Sequence, residues 1–185
     1  MPSNNQIERQ LASLSRTLRN GLSKMKSEAH GGNSILVVYP PEKEGIFIDT
    51  IKEAYNNDEH KFINIASLLT TQVEELGGAE SLVGEIELVG EIPKRFFKDP
   101  FVNRVRKEIK EAVENGKKPI LYRIGALVGI VSLNRILEDS EVLSLEEQIV
   151  VLYPGIYREG GSHLFFLDER RESSSYRAKI ITSKS

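Results

Sequence analysis

The sequence predicts a three-layer α/β sandwich: a mostly parallel central sheet flanked by helices, with an antiparallel hairpin at its C-terminal margin. Three observations carry that prediction. Ile149-Val150-Val151-Leu152-Tyr153 runs apolar and largely β-branched into Pro154-Gly155, as a strand buried on both faces does when it stops at a turn. Two similar runs precede it, Ile35-Leu36-Val37-Val38-Tyr39 before Pro40-Pro41, and Pro119-Ile120-Leu121-Tyr122-Arg123-Ile124 before Gly125. Between the runs lie segments with apolar residues at helical spacing, the alternation that builds parallel strands joined by helices. Parallel strands bring Tyr39-Pro40, Arg123-Gly125 and Tyr153-Arg158 to one carboxyl edge, where open α/β sheets place ligand or partner sites.

With 185 residues, 39% hydrophobic and 28% charged, the chain suits one globular domain with an appended element. The division read here is an amphipathic basic helix over 1–30 and a single α/β domain over 33–185, with a variable insertion at 79–98. A net charge of −2 supplies no global basic field, hence no bulk attraction to nucleic acid or an anionic membrane. Lack of cysteine excludes disulfides, thiol chemistry and cysteine zinc sites. The polar start Met1-Pro2-Ser3-Asn4-Asn5 lacks a signal-peptide layout, and no apolar run approaches the roughly 20 residues that span a bilayer. A cytoplasmic protein without membrane contact is expected.

Taken in order, Ile7, Leu11, Leu14, Leu18, Leu22 and Met25 line one face of a helix from about Asn5 to Glu28, which Gly31-Gly32 ends. Its other face carries Arg9, Arg16, Arg19, Lys24 and Lys26 against Glu8 and Glu28. Such a helix packs on its own domain with a wet basic face, docks on a partner or a second copy, or touches nucleic acid. After the first strand, Pro40-Pro41-Glu42 opens a helix with Ile48, Ile51, Ala54 and Tyr55 inward. Lys61 to Ile65 alternates as a strand, and a helix with Leu68, Leu69, Val73 and Leu76 ends at Gly77-Gly78.

Leu82-Val83-Gly84-Glu85-Ile86 recurs as Leu88-Val89-Gly90-Glu91-Ile92, a local duplication in a variable connection rather than a β-helix. Lys94-Arg95-Phe96-Phe97-Lys98 mixes base and aromatic, either loop anchors with wet cations or a single-strand contact. Asp99-Pro100 reads as a helix start, with Val102, Val105, Ile109 and Val113 buried before Asn115-Gly116. Ala126 to Asp139 reads as one further helix, and Ser144-x-x-Glu147 allows at most one turn before the strand at 149. His163 to Asp168 and Tyr176 to Ile181, with no helix between them, predict the marginal hairpin.

Reactive motifs are scarce. The turn Tyr39-Pro40-Pro41-Glu42-Lys43-Glu44-Gly45 replaces the amide donors of a phosphate cradle with prolines and acids, and G-x-G-x-x-G and G-x-S-x-G are missing. His30, His60 and His163 are scattered, so neither metal nor cofactor is expected. What remains is a set of Tyr and Arg residues along the carboxyl edge: Tyr39, Arg123, Tyr153, Gly155 in its turn, Tyr157, Arg158, Tyr176 and Arg177. These residue types are enriched at recognition hot spots, and equally they cap cores and pair locally. Protein recognition, a degenerate P-loop-like nucleotide-binding domain and a nucleic-acid-binding accessory protein are the function classes left open.

The tail carries a further pattern: Val150-Val151-Leu152-Tyr153-Pro154-Gly155-Ile156-Tyr157, then Leu164-Phe165, then Tyr176-Arg177-Ala178. It resembles the BrxB family, the small component of BREX bacteriophage-defence systems. The leucine helix at the N-terminus, the strand ending in Tyr39-Pro40-Pro41 and Asn134-x-x-Leu137 after Gly125 resemble that family too. Ile156 departs from it, standing where the family tends to carry an acid. The resemblance implies a cytoplasmic, non-catalytic subunit that works with other BREX proteins, a phosphatase-like PglZ protein foremost among them, with a large ATPase and an adenine methyltransferase.

Overall fold

The computed structural model describes residues 4–81, 83, 94–158, 163–166 and 176–183. Helix α1 (Asn4–Glu28) leads into β1 (Ser34–Tyr39), and a 3-10 turn at Pro41–Lys43 connects it to α2 (Glu44–Tyr55). β2 (His60–Asn64) and α3 (Ile65–Glu75) follow and, further along the chain, α4 (Lys94–Glu114) and β3 (Lys118–Tyr122). A second 3-10 turn at Ile124–Leu127 and two single-turn helices, α5 (Asn134–Leu137) and α6 (Ser140–Leu143), precede β4 (Ile149–Arg158), β5 (His163–Phe166) and β6 (Ala178–Ile181). The duplicated pentapeptides over 82–92 lie outside the described residues apart from Val83, as do the side chains of Lys94 to Lys98.

The sheet has the order β2-β3-β4-β1-β6, and each neighbouring pair is parallel. β4 is therefore interior, with Val37 opposite its Leu152 on one side and Leu121 opposite its Val151 on the other. Successive side chains alternate between two cores, as the pleat requires. Ile35, Val37, Ile120, Val150, Leu152 and Ile181 pack under α1 and α2, while Leu36, Val38, Leu121, Val151 and Tyr153 pack under α3, α4, α5 and α6. The result is helices on both faces of a parallel sheet.

α1 lies directly on this sheet. Leu14 and Met25 are fully buried, which stabilises by about 1.5–3 kcal/mol each. Two buried amides fix its position, Gln10 Nε2 donating to the Val38 carbonyl at 2.7 Å and Gln148 Nε2 to the Thr17 carbonyl at 3.1 Å. Gly21 interrupts the helix with φ 80, ψ 167, a kink that the continuous leucine stripe conceals.

Three expectations are corrected. The segments at 163–168 and 176–181 do not form a hairpin with each other: β6 joins β1 in parallel, Ser34 opposite Ala178, and β5 runs antiparallel to the overhang Gly155–Arg158 of β4. The slot beside β1 lets Ile180 and Ile181 enter opposite cores, which a marginal hairpin would not offer. Second, the region 126–139 is broken, because Gly129 turns with φ +76 and Asp139 instead caps α6 by accepting from the Glu141 and Val142 amides. Third, α4 begins at Lys94 and runs through Pro100, which forfeits one internal hydrogen bond near its N-terminus rather than marking the first turn.

Candidate functional site

Because β1, β3, β4 and β6 are parallel, their carboxyl ends form one rim, and the residues at it divide into structural and accessible. Tyr39 is buried, stacks on Phe47 with centroids 4.5 Å apart, and donates its hydroxyl to Glu44 Oε1 at 3.0 Å. Burial, and then the Glu44 carboxylate, push its phenol far above the ordinary range. Tyr153 is buried too, against the rings of Phe166 at 5.0 Å and Tyr176 at 6.1 Å. Both tyrosines close the core at the rim; Tyr153 lines no recess, while Tyr39, though buried, borders one between α1 and α2.

Arg123 and Tyr157 are placed differently, and Gly155, itself buried, borders a pocket. Arg123 is exposed just beyond β3 in the left-handed conformation, φ 56, ψ 38, a strain of order 1–3 kcal/mol that holds its side chain at the strand end. Gly155, Ile156 and Tyr157, on the β4 overhang, line a pocket of 130 Å³ with Val38, Pro40, Thr182 and Ser183. Arg158 ends the overhang opposite His163, its side chain outside what is described. A second recess of 80 Å³ shares Pro40 and Ser183 and continues the groove to Ile7, Lys43 and Ile46. Ile46 is 60% exposed there, although the sequence marks it only as one apolar residue in an apolar helix.

The gathering is incomplete. Ala178 is opposite Ser34, the first residue of β1, so Arg177 sits at the amino edge, on the far side of the sheet from the rim. There its backbone amide and Nε both donate to the Glu138 carboxylate, at 2.9 and 2.6 Å. Tyr176 leaves the same edge but lays its ring across the sheet toward Tyr153. Arg9, Arg16 and Arg19 are exposed on α1, and none of them lines the groove.

The amino edge holds a recess of its own, which sequence spacing does not reveal. His60 opens β2 directly opposite Lys118, the first residue of β3. Asn57 Oδ1 accepts from the Glu59 amide at 3.1 Å and lies 2.6 Å from His60 Nδ1; an oxygen already serving a backbone donor faces the ring, so Nδ1 carries the proton. Nε2 is buried without a partner. Burial, then Lys118, lower the imidazole pKa below 6.5 while Glu59 and Glu147 oppose them. The unfolded chain thus binds more protons below that value, so the stabilisation is full above it and drains away as pH falls through the folded pKa. Urea midpoints should fall between about pH 7.5 and 5.5 by more in the native protein than in His60→Gln, and equal falls would contradict the half-buried ring with its enclosed Nε2.

Among the described residues no helix is long and apolar enough to cross a membrane, and no three metal-binding side chains converge. Comparison with protein-family models, curated proteins and solved structures finds no match to this chain.

Proposed function

We propose that the protein is a non-catalytic interaction subunit of a BREX-type phage-defence assembly, related to the BrxB family and docking other BREX proteins, a PglZ-like protein foremost, in the cytoplasm. The observation that carries the docking half is the apolar groove at the carboxyl rim, with Ile46 60% exposed at one end and Gly155 to Tyr157 at the other. A large side chain held in water beside a preformed recess is what a partner's apolar anchor meets at a hot spot. The tail pattern from Val150 to Ala178 supplies the family half. The nucleotide alternative lacks comparable support, since Pro40 and Pro41 withdraw two amide donors from the turn where phosphate would sit.

Co-purification with tagged BREX proteins tests this. Ile46→Asp, a surface change that spares the core, should weaken capture of the PglZ-like protein by about ten-fold or more, while Arg16→Glu/Arg19→Glu leaves it intact. The opposite pattern would move the docking surface to α1. Failure of every BREX protein to be retained would end the proposal.

A further inference from the structure

The recess at the amino edge is unrelated to the rim and has a chemistry of its own. It measures 330 Å³, near the lower end for small-molecule sites, and is walled by four elements: α1, the end of α2, and the paired starts of β2 and β3. Leu18 and Ala54 supply apolar surface beside the edge of Tyr55. Ser15 and Tyr55 add hydroxyls.

Of the three charged residues that line it, Lys118 is already paired and Arg19 and Glu59 are not. Lys118 Nζ lies 3.2 Å from Glu147 Oε2 and is neutralised there. Arg19 donates its Nε only to the Ser15 carbonyl, at 3.3 Å, and among the described residues neither its guanidinium nor the Glu59 carboxylate has an ion-pair partner. One free cation and one free anion over an apolar floor complement a molecule bearing both opposite charges. A polyanion would meet Glu59, and a plain cation would meet Arg19.

We propose that this recess binds a small zwitterion with an apolar body, the chemistry of a free α-amino acid carrying a large side chain. Arg19 forks onto the carboxylate, a geometry that guanidinium favours, and Glu59 takes the ammonium. The apolar body rests on Leu18, Ala54 and Tyr55, with the neutral His60 ring behind it.

The test is a two-dimensional amide NMR titration of the full chain with L-phenylalanine, alongside N-acetyl-L-phenylalanine, which lacks the ammonium, and phenethylamine, which lacks the carboxylate. Saturable shifts at Arg19, Tyr55, His60 and Lys118 are expected below about 10 mM phenylalanine, with each half-charged analogue weaker by about ten-fold or more. Arg19→Gln and Glu59→Gln, both exposed and checked for fold by circular dichroism, should each lose affinity by about the same factor. No saturable shift, shifts confined to other parts of the chain, or binding unchanged by loss of either charge would overturn the proposal. So would equal binding of the acetylated analogue.

Discussion

Val151→Asp should leave no folded protein at all. Val151 is fully buried in the interior strand, opposite Leu36 of β1 and Leu121 of β3, in the core that also holds Val105 and Ile109. A carboxylate there would find no charged partner, since that face is packed with apolar and aromatic side chains. Stranding such a charge costs several kcal/mol, comparable with the roughly 5–15 kcal/mol that holds a whole domain together. Val151→Ala, which only removes methyl groups, should cost about 1–3 kcal/mol and give the graded control. Urea unfolding followed by far-ultraviolet circular dichroism reads both; an aspartate variant that melts like the native protein would mean that β4 is not the sheet's interior.

Gly32→Ala is the second large effect, and it acts on backbone. A Cβ at Gly32 would stand 1.5 Å from the Arg177 carbonyl oxygen and 2.4 Å from its carbon. Neither atom belongs to a flexible side chain, so relief requires lifting the start of β6 away from β1. The expected loss is at least about 2 kcal/mol, the upper part of the range for overpacking, with faster amide exchange over Ala178–Ile181. Gly45→Ala in α2 is the matched control: nothing lies within 4 Å of its Cβ, and removing a helical glycine should gain about 0.5–1 kcal/mol. Equal stability of Gly32→Ala and the native chain would refute the close approach of the two backbones.

The two variants probe different kinds of information. The interior position of Val151 is legible in the sequence, because a strand buried on both faces needs consecutive apolar residues and a helix-flanked sheet is what supplies two faces. The contact between Gly32 and Arg177 joins residues at opposite ends of the chain and leaves no local mark. The groove shows the same division. Tyr39, Arg123 and Gly155 could be placed at one edge from the parallel pattern alone, yet burial takes Tyr153 out of it and leaves Tyr39 only as a recess wall, and strand direction puts Arg177 at the other edge. Ile46 is not legible in the sequence, because an apolar residue in an apolar helix carries no label saying which side it faces.

By itself the sequence determined the layered α/β class, the three consecutively apolar strands β1, β3 and β4, the amphipathic first helix and the proline-blocked turn after β1. Each of these is written in residue periodicity or in φ and amide constraints that act within a few positions. Only the tertiary structure decided that β6 fills the slot beside β1, that the region after β3 breaks at Gly129, and that His60 meets Lys118 beside Arg19. Those outcomes depend on which sheet edge still lacks a partner and which registers bury both faces. Short, half-apolar strands suit several such places equally until the rest of the sheet is assembled.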